Sequence, residues 1–182
     1  MLRGEAGWER RLDMSADAVF ASFLAVPLAL PALLARGEAQ RQLAALAPNA
    51  PPSPEAAALA VTVGVTMLVS WGFCLVVLGR VAAQTQAGWR VSPLIVGFNW
   101  SRLAVNLLGA VLVGAALALR SVPLGGVAAL VVLGVAIWCD YALGRRALGF
   151  APGRAAALVG GLFLARFLAV FVVGAMLNPL LR

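Results

Sequence analysis

Three polar residues share one face of a long apolar stretch in the middle of the chain. The stretch covers residues 94–119 (LIVGFNWSRLAVNLLGAVLVGAALAL) and contains Asn99, Arg102 and Asn106. At roughly 100° per residue, these three lie on one helical face about 60° wide. Their donor groups suit a phosphate or a carboxylate, whereas an arginine without a partner is costly in hydrocarbon. The pattern therefore indicates either a structural pairing or an anion site.

Two more charges, Asp140 and Arg166, lie inside later apolar stretches. In the favoured interpretation Arg102 pairs with Asp140, the two asparagines bond to carbonyls of neighbouring helices, and Arg166 reaches the interface or bonds to backbone. In the alternative, two arginines against one aspartate leave one positive charge. With the amides of Asn99 and Asn106, that charge would form a cavity for a phosphate, a carboxylate or an anionic lipid headgroup, open to the cytoplasmic leaflet.

Catalytic, metal and cofactor sites are not predicted. Histidine is absent, and the two cysteines, Cys74 and Cys139, are far apart in the sequence. An intramembrane serine protease normally needs a histidine base, and a metal-dependent lipid transferase needs grouped carboxylates, whereas Asp140 is alone. A zinc site, a histidine-ligated haem and a disulfide framework are excluded on the same inventory. We therefore expect a non-enzymatic protein without a cofactor.

The composition is that of a membrane protein. Hydrophobic residues make up 63% of the 182 residues and charged residues 12%, against about 25% charged in soluble domains. Runs near twenty apolar residues match a hydrocarbon layer of about 30 Å. The sequence predicts an all-α bundle of five transmembrane helices in a single membrane domain, residues 1–182. The predicted spans are about 18–35, 56–79, 94–119, 124–143 and 155–177.

The first span is the one for which an alternative remains open. It is short and carries Pro27 and Pro31 on one side of the helix, so a re-entrant or interfacial hairpin, and hence four spans, is the competing prediction. Before it, residues 1–17 suit an amphipathic segment anchored by Trp8. After it, residues 36–55 form a polar connection, with a helical turn or two over 38–46 and a proline-rich link in APNAPPSPE.

The second span carries a stripe of small, weakly polar residues. Its members recur every four residues: Thr62, Thr66, Ser70 and Cys74. We favour a helix-packing seam, in which small side chains let two backbones approach and hydroxyls bond to their own helix. A polar lining for a pathway is the alternative.

The arginines predict the orientation in the membrane. The formal charge is +7 and every basic residue is arginine, but these residues are spread over the connections rather than clustered, so a nucleic-acid partner is not expected. Eight arginines fall on the N-terminal side of the five predicted spans: Arg3, Arg10, Arg11, Arg80, Arg90, Arg145, Arg146 and Arg154. Four fall on the other side: Arg36, Arg41, Arg120 and Arg182. The N-terminus is predicted to be cytoplasmic and the C-terminus periplasmic, with all five buried polar residues in the cytoplasmic half of the membrane.

Two patches resemble a known group of proteins. DMSADAVFASFLAVPLALP, residues 13–31, and IVGFNWSRL, residues 95–103, resemble uncharacterised bacterial inner-membrane proteins. The five spans also resemble the topology of the Yip-type membrane proteins, which are named for interaction with Rab-class GTPases. The resemblance implies a multi-pass protein of a bacterial inner membrane. Asn99 and Trp100 occupy family-like positions without a role, and the trafficking function does not carry over, because the N-terminal tail is short.

The sequence favours a scaffold or accessory subunit whose small-residue seams pack against other helices. Its expected partners are membrane lipids and other membrane-protein subunits. The alternative is a carrier or binding protein for an anionic lipid or a small anion, acting through Arg102 and Arg166.

Overall fold

A computed structural model describes residues 15–47, 55–84 and 91–177. These residues form six helices and no strand: α1 (Ala16–Ser22), α2 (Ala25–Ala45), α3 (Ala56–Gln84), α4 (Val91–Ala118), α5 (Val122–Arg146) and α6 (Pro152–Leu177). Helices α1 and α2 together make one apolar segment, Ala16–Ala45, and all five segments are long and apolar enough to cross a membrane. The prediction of an all-α bundle with five spans is confirmed. The amphipathic segment and most of the proline-rich link lie outside the described residues.

A proline explains the break between α1 and α2. Ser15 begins α1, because its hydroxyl accepts a hydrogen bond from the Ala18 amide. Pro27 has no N–H for the carbonyl of Phe23, and its ring crowds that carbonyl. The chain turns at Phe23 and Leu24, and the Phe23 carbonyl instead accepts a bond from Val26. Helix α2 then continues through Pro31.

The first span is longer than predicted, and its end at residue 35 was wrong. Helix α2 continues through Arg36 to Ala45. Glu38 binds Arg41 with two bonds of 2.8 and 2.6 Å and accepts a third from Gln42 at 2.8 Å, which stabilises this polar last part of the helix. Ala39 and Leu43 are buried on its other side. The competing prediction of a short hairpin does not describe this segment.

The helices are arranged as a ring. Helix α4 packs against α1, α2 and α5, while α3 packs chiefly against α6 and α2, and α5 contacts α6. Helix α4 also has the most buried residues of any helix. Its buried residues include the small Gly97 and Gly109 and the polar Asn99 and Arg102.

Two hydrophobic cores lie at opposite ends of this ring. The larger core is centred where α4 and α6 begin and α5 ends, and it includes Trp71, Phe98, Leu143, Ala155 and Leu162. We call this side of the bundle the closed end. The smaller core lies where α2 and α4 end and α5 begins, at the open end of the bundle, and its buried members come only from those three helices: Ala39, Leu43, Val113, Ala116 and Ala128.

Glycine and a tight turn hold the closed end together. Helices α5 and α6 approach so closely at Gly144 that a Cβ atom there would lie 3.3 Å from the Cβ of Ala155. The intervening turn passes through Gly149, whose φ of 67° favours glycine. Arg145 donates to the carbonyl of Phe150 at 2.6 Å and closes the turn.

Candidate functional site

Asp140 lies between two arginines from different helices. Its Oδ1 accepts a hydrogen bond of 2.5 Å from Nη2 of Arg102 on α4. Its Oδ2 lies 2.8 Å from Nη2 of Arg166 on α6. Asp140 is completely buried and Arg102 is nearly so. The predicted Arg102–Asp140 pair is therefore present, but the prediction that Arg166 reaches the interface or backbone was wrong, because Arg166 shares the same carboxylate.

This pairing leaves donor capacity on both arginines. Arg102 Nη2 also donates to the carbonyl of Ala136 at 3.3 Å, but its Nε has no acceptor among the described residues. Arg166 Nη2 and Asp140 Oδ2 are close enough for an ion pair, although they are not aligned as a hydrogen bond. One carboxylate thus partly satisfies two guanidinium groups, and the cluster keeps a net positive charge.

Aromatic rings position Arg102 from the closed end. The guanidinium carbon of Arg102 lies 5.2 Å from the centroid of the Phe98 ring, at the distance of a cation–π contact. The Phe98 ring in turn meets Trp71 edge to face, with centroids 6.2 Å apart. The arginine is therefore held between a carboxylate and an aromatic face.

Asn99 belongs to a separate polar network. Its Oδ1 accepts a bond of 2.8 Å from Nε1 of Trp71, and its Nδ2 donates to the hydroxyl of Ser22 at 2.9 Å. Ser22 then donates to the carbonyl of Val19 at 2.7 Å. The predictions that Asn99 bonds to carbonyls or offers a free amide to an anion were both wrong. Asn99 is fully buried and ties α1, α3 and α4 together.

A cavity of about 590 Å³ extends from the two arginines towards the open end. All helices except α1 line it, and most of its wall is apolar. Its polar lining consists of Arg36, Gln40, Thr62, Thr66, Ser70, Trp71, Cys74, Arg102, Asn106 and Arg166. No carboxylate is among the lining residues, because Asp140 lies behind Arg102 and Arg166.

Arg36 is a third arginine in this cavity. The sequence predicted that it lies in the connection over residues 36–55, but it is part of α2. It lines the wall from α2 and makes no ion pair or hydrogen bond with another described residue. Its side chain crosses α4 at Gly109, where a Cβ atom would lie 2.9 Å from both Cδ and Nη1 of Arg36. Gly109 therefore leaves the space that admits the arginine to the cavity.

The predicted stripe on α3 faces the cavity. Thr62, Thr66, Ser70 and Cys74 all contribute to its wall, as the alternative interpretation of a polar lining predicts, while the preferred interpretation as a helix-packing seam is met at Cys74, where α3 meets α6. Thr62 still bonds to the carbonyl of Ala58 in its own helix at 2.8 Å, and Cys74 contacts the carbonyl of Leu162 on α6 at 3.9 Å. The stripe supplies weak polarity opposite the arginines.

Depth in the bundle also differs from the prediction. Asn106 is the sixteenth of 28 residues in α4, and Arg166 is the fifteenth of 26 in α6. Both therefore lie near the middle of the span rather than in one half. The cavity continues past them to Gln40, Thr62 and Val113, on the opposite side from the predicted opening. Asn106 lines this part and forms no hydrogen bond with another described residue.

The arrangement is suited to binding an anion. Three guanidinium groups line one cavity, and Asp140 is the one carboxylate that pairs with any of them in the described part of the chain, which leaves two positive charges. Guanidinium groups bind phosphate and carboxylate in a planar, two-bond geometry. The lining residues include neither a histidine nor a carboxylate, which are the usual general bases.

Comparisons with protein-family models, with curated proteins and with solved structures find no match. The resemblance to Yip-type proteins therefore remains a prediction.

Proposed function

We propose that this multi-pass membrane protein is a non-enzymatic carrier or binding protein for an anion that carries a phosphate or a carboxylate. One observation supports this most strongly: Arg36, Arg102 and Arg166 line a single cavity, and Asp140 is the only buried carboxylate among the described residues. A bound anion would supply the missing negative charge.

Energetics favour a ligand over an empty cavity of this composition. An arginine inside a membrane costs at least about 2.5 kcal/mol on insertion scales, and that cost falls when the arginine has an anionic partner. Arg36 adds that cost without an ion pair or hydrogen bond to any other described residue. The volume of about 590 Å³ lies within the range of small-molecule sites.

We also propose that the protein lies in a bacterial inner membrane with a cytoplasmic N-terminus. Because Arg36 lines the cavity, it no longer counts as a loop charge. The other side then has three arginines, four minus Arg36, against eight on the N-terminal side. The positive-inside rule supports this orientation more strongly with eight arginines against three than with eight against four. In this orientation the open end faces the periplasm.

Arg36→Gln tests the proposal, because the change leaves no partner among the described residues unpaired. We expect wild-type protein in a neutral detergent to bind butyl phosphate or butyrate saturably, as measured by calorimetry. A charge-assisted hydrogen bond contributes roughly 1.5–3 kcal/mol, so Arg36→Gln should raise the Kd by about tenfold or more.

Arg41→Gln is the matched control, since Arg41 lies on the same helix but pairs with Glu38 outside the cavity. Its Kd should equal that of the wild type, and butanol should not bind. Absence of saturable binding, or an equal loss in the two variants, would contradict the proposal.

A scaffold or accessory subunit is the second candidate. Gly72 and Gly79 lie seven residues apart on α3, and a Cβ atom at either position would meet nothing within 4 Å. Such a face admits another helix at close range. A stable protein partner that is lost in a Gly72→Leu variant, together with no anion binding by the wild type, would favour this candidate.

A further inference from the structure

The cavity reaches the outer surface of the bundle between α5 and α6. Four large apolar residues of α5 and α6 line it and are also well exposed: Leu133 on α5 is 42% exposed, and on α6 Phe163 is 51%, Phe167 62% and Val170 57% exposed. A side chain that lines a cavity and is exposed at the same time marks a place where the two spaces approach each other. All four side chains are apolar, so this opening faces the lipid.

The two cores explain why the opening lies there. Helices α5 and α6 meet at the closed end, at Gly144 and through the Asp140–Arg166 pair. Past that pair, α5 packs with α2 and α4 in the smaller core, to which α6 contributes no buried residue. Val132 of α5 approaches Gly109 of α4 on this side of the pair, whereas α6 approaches α3 on the closed-end side, where the Leu162 carbonyl lies 3.9 Å from Sγ of Cys74. The two helices are thus held by different neighbours.

We propose that the ligand is an amphipathic anion, with a phosphate or carboxylate headgroup on an apolar chain, that enters from the bilayer between α5 and α6. The headgroup binds Arg36, Arg102 and Arg166, and the chain lies along Leu133 and Phe167. This inference rests on the proposed function and adds the class of ligand and its route.

The wall of the opening argues against a free anion on this route. A hydrated phosphate would lose its water beside Leu133, Phe163 and Phe167 before it reached a guanidinium group, and that loss is costly without a compensating partner. A lipid-borne headgroup already sits next to the hydrocarbon, and its chain gains contact with the same apolar wall. A free anion would instead enter at the open end, past Gln40 and Thr62.

Photo-crosslinking in nanodiscs tests the route. Phe167 is replaced by the photo-reactive amino acid benzoylphenylalanine, and the protein is placed in phosphatidylcholine with a minor fraction of phosphatidic acid. Phe171 receives the same replacement as the control, since it is one turn further along α6 and 68% exposed but does not line the cavity. Mass spectrometry of the adducts then gives the ratio of the two lipids at each position.

We expect phosphatidic acid to be enriched several-fold over its share of the bilayer at position 167 and not at position 171. Arg36→Gln should abolish the enrichment, whereas Arg41→Gln should preserve it. Equal ratios at the two positions, or enrichment that survives Arg36→Gln, would overturn the inference. If butyl phosphate still binds in an Arg36-dependent manner while the enrichment is absent, the ligand is a water-soluble anion and the proposed function stands. If both signals are absent, the proposed function fails as well.

Discussion

The two ends of the bundle are built in opposite ways. At the closed end, aromatic and aliphatic side chains from all five spans fill the space between the helices, and the polar groups of Asn99 and Ser22 bond to each other. At the open end, three helices share a small core while the space beside α3 and α6 contains the cavity. Asp140 lies at the boundary between the two.

Because of this difference, the closed end mainly determines the stability of the fold and the open end mainly determines ligand binding. Close packing and satisfied polar groups give the closed end its rigidity, whereas unsatisfied charge and empty volume give the open end its capacity for a ligand. Substitutions at the two ends should therefore affect different measurements.

Asp140→Asn should have the largest effect on stability, because it leaves Arg102 and Arg166 without their shared counter-charge. Removing one partner of a buried ion pair costs about 3–5 kcal/mol. The loss should appear in the free energy of unfolding in detergent and in the yield of folded protein. Glu38→Gln is the control, since its pair with Arg41 is exposed to solvent and an exposed ion pair contributes little to stability. Equal stability of the two variants would show that the boundary does not depend on the carboxylate.

Gly144→Ala should destabilise the closed end to an intermediate extent. The new Cβ would lie 3.1 Å from Cδ2 of Leu158 and 3.3 Å from the Cβ of Ala155, and the Ala155 Cβ is fixed to the backbone, so it cannot give way as a flexible side chain can. Overpacking of this kind costs about 1–3 kcal/mol. Gly134→Ala on the same helix meets nothing within 4 Å, so its unfolding temperature should stay at or slightly above that of the wild type. Binding of butyl phosphate by folded Gly144→Ala should be unchanged.

Gly109→Ala should have the smallest effect on stability and a clear effect on binding. Its Cβ would meet the Arg36 side chain, whose flexible end can move away at a cost below about 1 kcal/mol. The guanidinium group then leaves its place in the cavity, and the Kd for butyl phosphate should rise several-fold in calorimetry. Gly114→Ala, also on α4 but without neighbours within 4 Å, should bind as the wild type does. Unchanged binding in Gly109→Ala would mean that the position of Arg36 is not set by this contact.

The lengths of the apolar runs and the position of Asp140 were sufficient to predict most of the fold and part of the site. Five apolar runs predict five helices, and Asp140 is the only acid within any of them, so its pairing with Arg102 follows from the cost of an unpaired charge. Arg36 was missed because a charged run from Arg36 to Arg41 resembles the end of a span. Its helix continues because Glu38 and Arg41 neutralise each other locally, and because Ala39 and Leu43 still face a core.

The sequence predicted a cavity only as an alternative and did not define its walls. A repeat such as Thr62, Thr66 and Ser70 predicts that the residues share a face, but it does not say whether that face meets a helix or an empty space. Asn99 shows the same limit. Its position on the face of Arg102 was predicted correctly, but Ser22 and Trp71, which satisfy its amide, lie 77 and 28 residues away.

The short connection between α4 and α5 has a consequence for how the protein enters the membrane. Only Leu119, Arg120 and Ser121 separate the two helices, so they can insert as one helical hairpin. Asp140 is then available to Arg102 within the hairpin, before α6 has been synthesised. The insertion cost of Arg102, about 2.5–3.5 kcal/mol for an isolated helix, is offset by a partner in the same unit. Arg166, on α6, is inserted after this hairpin and meets a carboxylate that already has one partner. The excess positive charge of the cavity therefore increases when α6 is inserted.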